Sequence, residues 1–291
     1  MTVLLRIMAS MNRLDHDARA RILHLLCEGT SIRAVTRLTG ASKTTVSKLV
    51  VDAGKAAAWY QDRVFRNLAS RRIQVDEIWR VGGAKAKNAK PELKAARQAG
   101  DAWLWVAIDA DTKIVPSWLV AGRDSDSAII FMDDLASRFA NRVQLTSDGH
   151  KAYLEAVEGA FGADIDYAQL VKLYGEAPES AKGRYSPAEC IGCQKQVIEG
   201  NSDPKHISTS VAECNNLNIR MHSRRMTRLT NVFSKKMENH AHAIALHFLH
   251  YNFVRVHKTL WKTPSMAAGV TKRLWEITDI VDVLEAWEAV Q

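Results

Sequence analysis

The spacing of apolar residues changes near residue 72, and this change constrains the fold more than any other feature of the sequence. Before it, apolar side chains recur every three or four residues, the period of helices that bury one face. After it come a strand-like segment from Arg72 to Trp79 and a nearly continuous apolar run from Trp103 to Asp109, typical of a buried strand. The sequence therefore predicts an all-α head followed by an α/β core.

Residues 13–52 divide into three short helical segments. The first, around Asp15 to Glu28, stops at Gly29, and Ser31 is a suitable N-cap for the second. Gly40 lies in the next turn, where a positive φ is needed, and Ser42 can cap the third segment. This succession is typical of a helix-turn-helix DNA-binding unit.

The third segment has an apolar side and a polar side. In a helix-turn-helix, the polar side chains at the start of this helix lie nearest the bases and phosphates of the major groove. An ordinary three-helix bundle with a solvated third face is the alternative. The residues that we expect to contact DNA are Lys43, Thr44, Thr45, Ser47 and Lys48.

The core predicts three strands followed by alternating helices and strands. A hairpin returns through Ile114–Val120, and a helix follows at Ser125–Ala140 with Ile129, Ile130, Met132 and Leu135 as its apolar positions. A fourth strand ends at Asp148, a helix runs from Lys151, and a fifth strand spans Tyr167–Leu173. This order matches a ribonuclease-H-like mixed sheet. Residues 174–207 look like a loop insertion, and helices follow to the end, with a break near Thr230–Asn231.

Three carboxylates stand where such a sheet could bring them together. Asp76 lies in the first strand, Asp148 ends the fourth, and Glu213 lies near the start of a later helix. Divalent cations that assist phosphoryl transfer need converging hard oxygen ligands, which neighbouring strands and one crossing helix can supply. Glu77 is the rival of Asp76, and Asp148 could equally serve the turn before Gly149, a residue that leaves room for a phosphate.

Positive charge is concentrated towards the C-terminal end. The chain has 40 Lys and Arg against 32 Asp and Glu, a formal charge of +8. Between Asn218 and Lys262 there are nine Lys or Arg and a single acid, Glu238. A basic surface beside a metal site favours phosphate binding over a merely solvated helix face. The candidate phosphate contacts are Arg220, Arg224, Arg225 and Arg228.

Other classes of protein fit poorly. The four cysteines form no disulfide framework, which favours a reducing, cytoplasmic location. Cys190 and Cys193 have the spacing of a zinc pair but lack a second pair close by. No apolar stretch approaches the ~18 residues that would span a membrane. The first ten residues lack the features of a secretory signal, and Met11 is an alternative start.

With these residues placed, the chain resembles insertion-sequence transposases of the IS-one family, which have a DDE core. Four segments from Met11 onward carry the resemblance. They are Asp76–Trp79; Leu145–Tyr153; Glu213–Arg225; and Phe233–Lys236 with Tyr251–Leu260 and Thr263-Pro264. The sequence departs from the family pattern at Arg80–Ala84, which contains two glycines, and at Cys214, where the family has Arg.

The resemblance implies a DNA transposase that binds terminal inverted repeats and joins a 3′-hydroxyl end to target DNA. It implies two Mg²⁺ ions held by Asp76, Asp148 and Glu213, with Mn²⁺ as a substitute, and at least a dimer associated with the nucleoid. The alternatives are a catalytically decayed DNA-binding protein and a nuclease that cuts without joining. The expected organisation is an upstream extension (1–10), a helix-turn-helix domain (11–53), a helical connector (54–71), a ribonuclease-H-like catalytic core (72–265) with an insertion at about 174–207, and a helical tail (266–291).

Overall fold

The head consists of three helices, and each begins after a residue whose side chain caps it. The computed structural model describes residues 14–82, 92, 100–175, 190–227, 234 and 236–291. Helices α1 (His16–Cys27), α2 (Ile32–Thr39) and α3 (Lys43–Val64) begin after Asp15, Ser31 and Ser42, and each of these side chains accepts a hydrogen bond from a backbone N–H of the first turn. Gly40 ends α2 with a φ of 75°. The predicted caps Ser31 and Ser42 and the turn at Gly40 are therefore confirmed.

Helix α3 is longer than the third helical segment of a minimal three-helix head. It runs without interruption for 22 residues, so the expected boundary between residues 53 and 54 falls inside it, and most of the expected connector is the same helix. Gly54, in the middle of α3, allows close contact with a second helix. A Cβ atom on Gly54 would lie 2.2 Å from the His242 carbonyl oxygen, so only glycine allows α3 to cross the helix that carries His242 this closely.

The core is α/β with a mixed sheet, as predicted. Its six strands are β1 (Arg72–Gly82), β2 (Gly100–Asp109), β3 (Ser117–Ala121), β4 (Gln144–Asp148), β5 (Asp166–Tyr174) and β6 (Cys190–Glu199), in the spatial order β3-β2-β1-β4-β5-β6. β1 is antiparallel to β2 and parallel to β4, and β4 is parallel to β5. β1 therefore lies at the junction between the antiparallel and parallel parts of the sheet.

Helices cover both faces of the sheet. α4 (Ser125–Ala136) and α5 (Ala152–Phe161) cover one face, where Trp105 packs among Phe131 and Tyr153. α6 (Ser210–His222) and α7 (Met237–Phe253) cover the other, where Ile219 and Phe248 belong to a second buried cluster. Because side chains alternate along β1, Val75 faces α4 and α5, whereas Ile78 faces α6 and α7.

A third buried cluster joins the two ends of the chain. It combines apolar residues of α1 and α3 with residues of α7 and of the C-terminal helix α9 (Ile277–Ala289), which follows the short helix α8 (Pro264–Ala267). Arg19 of α1 lies 3.2 Å from Glu288 of α9, and His16 lies 3.0 Å from Asp282. The expected C-terminal tail is thus packed against the head.

A buried amide locks α3 and α7 to the sheet. The Asn252 side chain, fully buried in α7, donates to the Gln61 side chain of α3 at 3.2 Å and to the Val115 carbonyl at 3.0 Å. Its own oxygen accepts from the Val115 N–H at 3.0 Å. This network fixes the position of the head relative to the connection between β2 and β3.

Several local expectations were wrong. Ile129 and Ile130 are exposed, because α4 buries Ala128, Phe131 and Met132 instead. The region expected to be a loop insertion contains β6, which pairs antiparallel with β5.

Three other features complete the description of the fold. β1 runs as far as Gly82, opposite Gly100, so the first of the two glycines is the last residue of the strand that the structure describes. The expected break near Thr230–Asn231 lies outside the described residues. Within the described part of the chain, none of the helices combines the length and apolar character needed to cross a membrane.

Candidate functional site

The sheet brings two of the three predicted carboxylates together. Asp76 lies within β1, and Asp148 is the last residue of β4, the parallel neighbour of β1. One carboxylate oxygen from each of Asp76, Glu77 and Asp148 lies within 4.8 Å of the other two. The sequence left Asp76 and Glu77 as rivals, but both belong to this cluster.

Hydrogen bonds fix the orientation of both aspartates. One Asp76 oxygen accepts from the Glu77 backbone N–H at 2.8 Å, and the other accepts from the Asn216 side chain at 2.6 Å. One Asp148 oxygen accepts from the His150 N–H at 3.0 Å. The room expected beside Gly149 is filled by Val171, whose Cγ2 would lie 3.2 Å from an added Cβ.

Glu77 is the most deeply buried member of the cluster. Its side chain is 1% exposed and lies 3.1 Å from the guanidinium of Arg123. The same guanidinium lies 3.8 Å from Asp148 and stacks 4.7 Å from the ring centre of Trp103. Arg123, which follows β3, therefore supplies positive charge to two of the three carboxylates.

Glu213 lies on α6 beside this cluster but has different partners. Its Oε1 accepts from Lys172 of β5 at 2.5 Å and from the Thr209 hydroxyl at 2.7 Å. Asn216, one helical turn further along, donates to Asp76, so the face of α6 that carries Glu213 is directed towards β1. The structure thus places Glu213 near the other two predicted ligands but paired with a lysine.

The carboxylates are short of positive charge. Burial, together with the nearby charge of Asp148, raises the pKa of Asp76 to about 6, and the same two causes raise the pKa of Glu77 to about 7. Burial would also raise the pKa of Glu213, but the hydrogen bonds from Lys172 and Thr209 outweigh it and leave that pKa lowered. A cluster whose pKa values are raised in this way gains stability from a bound cation.

The donor set fits a hard divalent cation. Asp76, Glu77 and Asp148 offer carboxylate oxygens, the ligands that Mg²⁺ and Mn²⁺ prefer. The Asn216 Oδ1 atom is buried beside Asp76 and has no hydrogen-bond partner among the described residues. A buried oxygen without a hydrogen-bond partner, next to carboxylates whose pKa values are raised, is consistent with a site that binds a cation.

The residues predicted to contact DNA at the start of α3 are largely accessible. Lys43, Thr44 and Lys48 are exposed, and Lys48 pairs with Asp52 at 2.5 Å. Thr45 is half-buried, with its hydroxyl 2.8 Å from that of Ser42, and Ser47 is also half-buried.

The predicted arginines after Glu213 differ from one another. Arg224 is exposed and Arg220 is half-buried. Arg225 donates to the Ser234 hydroxyl at 2.9 Å and to the Asn239 carbonyl, and burial lowers its pKa to about 10. Its guanidinium therefore holds the start of α7 in place. Arg228 lies outside the described residues.

Members of both groups of predicted DNA contacts line one cleft. This cavity, of about 640 Å³, is formed by residues of the head, of α7 and of the segment that follows α6. Lys43 and Ser47 of α3 and Arg224 and Arg225 are among its lining residues.

The interpretation of the site depends on its chemistry. No protein-family model matches the chain, and none of the curated proteins matches it.

Two residues of the site, Arg123 and Lys172, could not be identified from the sequence. No spacing pattern marks either of them, because each reaches the carboxylates only through the pairing of the strands.

Proposed function

We propose that the protein is a DDE-type DNA transposase whose metal-binding carboxylates are Asp76, Asp148 and Glu213. The observation that carries this proposal is the approach of Asp76 and Asp148 to within 4.8 Å at the junction of the antiparallel and parallel strands. Glu213 would complete the set from α6, the helix whose Asn216 donates to Asp76.

The topology supports the same conclusion. Three antiparallel strands followed by two parallel ones, in the order β3-β2-β1-β4-β5, correspond to the ribonuclease-H-like arrangement that we predict from the sequence. In this arrangement the first and fourth strands are neighbours, so carboxylates on them meet. The extra strand β6 adds to the edge beyond β5 and leaves this junction unchanged.

Asp76, Asp148 and Glu213 would hold two Mg²⁺ ions, and Glu77 lies close enough to contribute. When bound, such ions activate the attacking oxygen and stabilise the leaving oxygen of a phosphodiester. The protein supplies orientation and charge. Asn216 and the Glu77 backbone hold Asp76 in one rotamer. Arg123 neutralises part of the charge of Glu77 and Asp148, which would otherwise repel a phosphate.

The head would deliver DNA to this centre. Helices α2 and α3, joined by the turn at Gly40, would form its helix-turn-helix. Lys43, Thr44 and Lys48 are exposed at the start of α3. Arg224 lines the same cleft as Lys43 and adds positive charge to it. These contacts would make DNA binding weaken steeply with salt.

The test is a cleavage and joining assay on a supercoiled plasmid that carries the encoding DNA segment with its flanking sequences. With Mg²⁺ or Mn²⁺, wild-type protein and the control Glu158→Gln, which alters an exposed acid on α5, should nick the element ends and join them to a second plasmid. Asp148→Asn should bind the same DNA and do neither.

Each of the other results has a distinct meaning. Equal activity of Asp148→Asn and wild type would refute the site. Binding without cleavage by the wild type would favour a DNA-binding protein without catalysis, and cleavage without joined products would favour a nuclease.

A further inference from the structure

A tight hairpin follows α7 and projects a tryptophan into solvent. The His257 N–H donates to the Lys262 carbonyl at 3.0 Å, and the Trp261 N–H donates back to the His257 carbonyl at 3.0 Å. The His257 ring lies 3.0 Å from the Thr259 hydroxyl. Trp261 is 87% exposed, the highest value among the exposed large hydrophobic residues in the described part of the chain.

The backbone of this hairpin is unusual. Trp261 has a φ of 56°, in the left-handed region that large side chains rarely adopt. Strained backbone of this kind persists where the surrounding structure holds it, and it is concentrated at functional sites. The backbone of the hairpin thus directs a large aromatic ring outward, where it contributes little to folding.

The surroundings of Trp261 are basic. Arg255, Lys258 and Lys262 flank it, and no acidic residue occurs between residues 254 and 275. Lys258 and Lys262 are exposed. Burial lowers the pKa of His257, and the nearby charge of Lys113, at the connection between β2 and β3, lowers it further. The segment of chain that carries Trp261 is therefore cationic.

We propose that this hairpin is a second nucleic-acid site, at which Trp261 stacks on an unpaired base and Lys258 and Lys262 bind the adjacent phosphates. Aromatic stacking of this kind accepts any base, because every base has a π-face. A contact between protein subunits is less suitable, since lysine is depleted in the cores of such interfaces. The inference deepens the proposed function, because unpaired bases arise where strands are cut and joined.

The location makes this site separate from the carboxylates. Tyr251, near the end of α7, donates to the carbonyl of Lys113, which lies four residues after the end of β2. The hairpin therefore begins near the end of the sheet where Ile73 of β1 pairs with Asp109 of β2. Asp76 lies three residues further along β1, about 10 Å at ~3.3 Å per residue. Trp261 would therefore engage DNA at a distance from the cleaved phosphate.

The test measures binding of the full-length protein to two fluorescein-labelled probes, a fully paired duplex and the same duplex with a three-base bulge. Trp261→Ala should weaken binding to the bulged probe about tenfold and binding to the paired duplex less than about twofold. Trp261→Phe should retain most of the affinity. Val290→Ala, which shortens a 65% exposed side chain near the C-terminal end of the sequence, is the control and should change binding to neither probe.

Trp261→Gly separates binding from folding. Glycine tolerates the positive φ, so this variant should unfold at the same temperature as wild type or higher, yet lose binding to the bulged probe. Equal losses on both probes, or no loss on either, would overturn the proposal. The proposal would also be overturned if Trp261→Gly converted a wild-type dimer into a monomer in sedimentation. It would be overturned likewise if Trp261 were needed for binding to vesicles of anionic lipid and not for binding to DNA.

The outcome is independent of catalysis. If the wild type never cleaves DNA but Trp261 still determines binding to the bulged probe, only the proposed function fails. If Asp148→Asn abolishes cleavage while Trp261→Ala binds both probes like wild type, only the base-stacking site fails.

Discussion

Replacing Glu77 by Gln tests whether the buried carboxylates carry uncompensated charge. Burial raises the pKa of Glu77 from its ordinary value of 4.5 to about 7, so the folded protein holds this proton more tightly than the unfolded chain. Stability must therefore fall as pH rises from about 4.5 through 7, because the unfolded chain loses this proton before the folded protein does. Relative to acid pH, the loss of unfolding free energy is about 1 kcal/mol at pH 5 and about 3 kcal/mol at pH 8.

The variant removes this pH-dependent cost. Relative to wild type, Glu77→Gln should therefore gain about 2 kcal/mol of unfolding free energy between pH 5 and pH 8. The comparison of two pH values matters more than either absolute value, because a buried amide has its own desolvation cost. The measurement is urea denaturation of both proteins at each pH, without divalent cations, with Glu158→Gln as a control that should show no such gain.

Excess Mg²⁺ provides the second half of the test. At pH 8 a bound cation should stabilise wild type and narrow its gap to Glu77→Gln, because the cation neutralises the carboxylates. A wild type whose stability does not fall between pH 5 and pH 8 relative to the variant would refute the electrostatic argument. A gap that Mg²⁺ leaves unchanged would refute the participation of Glu77 in a metal site.

Three further predictions concern residues around the site and the core. Asn252→Ala should lower the unfolding free energy by about 3 kcal/mol or more, because it leaves the Gln61 oxygen and both backbone groups of Val115 unpaired; a loss under about 1 kcal/mol in urea denaturation would contradict this. Gly54→Ala should destabilise by about 2 kcal/mol, since the new Cβ meets the helix that α3 crosses, although helix propensity alone predicts a gain of about 1 kcal/mol. Lys172→Met should tighten Mg²⁺ binding severalfold in calorimetry, because it removes an ammonium from Glu213; weaker binding would mean that Lys172 positions Glu213 for the metal.

Elements with strong local signals could be predicted from the sequence. Ser31 and Ser42 cap their helices because short hydroxyl side chains satisfy backbone N–H groups that no helical bond can reach. The apolar run of β2 was equally informative, because a strand buried on both faces needs no alternation. Local physics was sufficient in these cases.

Elements that depend on tertiary pairing could not be predicted. β6 exposes nearly all of its side chains, so it lacks the apolar alternation by which a half-buried strand is recognised, and its pairing with β5 defines it. The register of α4 was wrong because Ile129 and Ile130 are strongly apolar yet lie on the solvent side, while Phe131 fills the core.

The site shows the same division. Asp76 and Asp148 could be chosen because strand order alone makes neighbours of β1 and β4. The joint participation of Glu77 depends on side-chain reach at the end of β4. Arg123 and Lys172 belong to segments far from the carboxylates in sequence and become their partners only after folding.

The uninterrupted course of α3 has a consequence for where DNA would be cut. Its 22 residues span about 33 Å, close to ten base pairs, and Gly54, Gln61 and Asn252 fasten its far half to the core. Under the proposed function, the length of α3 fixes the distance between the start of the helix, which contacts DNA, and the carboxylates of the core. The offset between the recognised sequence and the broken phosphodiester would then be set by helix length, and one inserted residue near Ala53 would turn the reading end by about 100°.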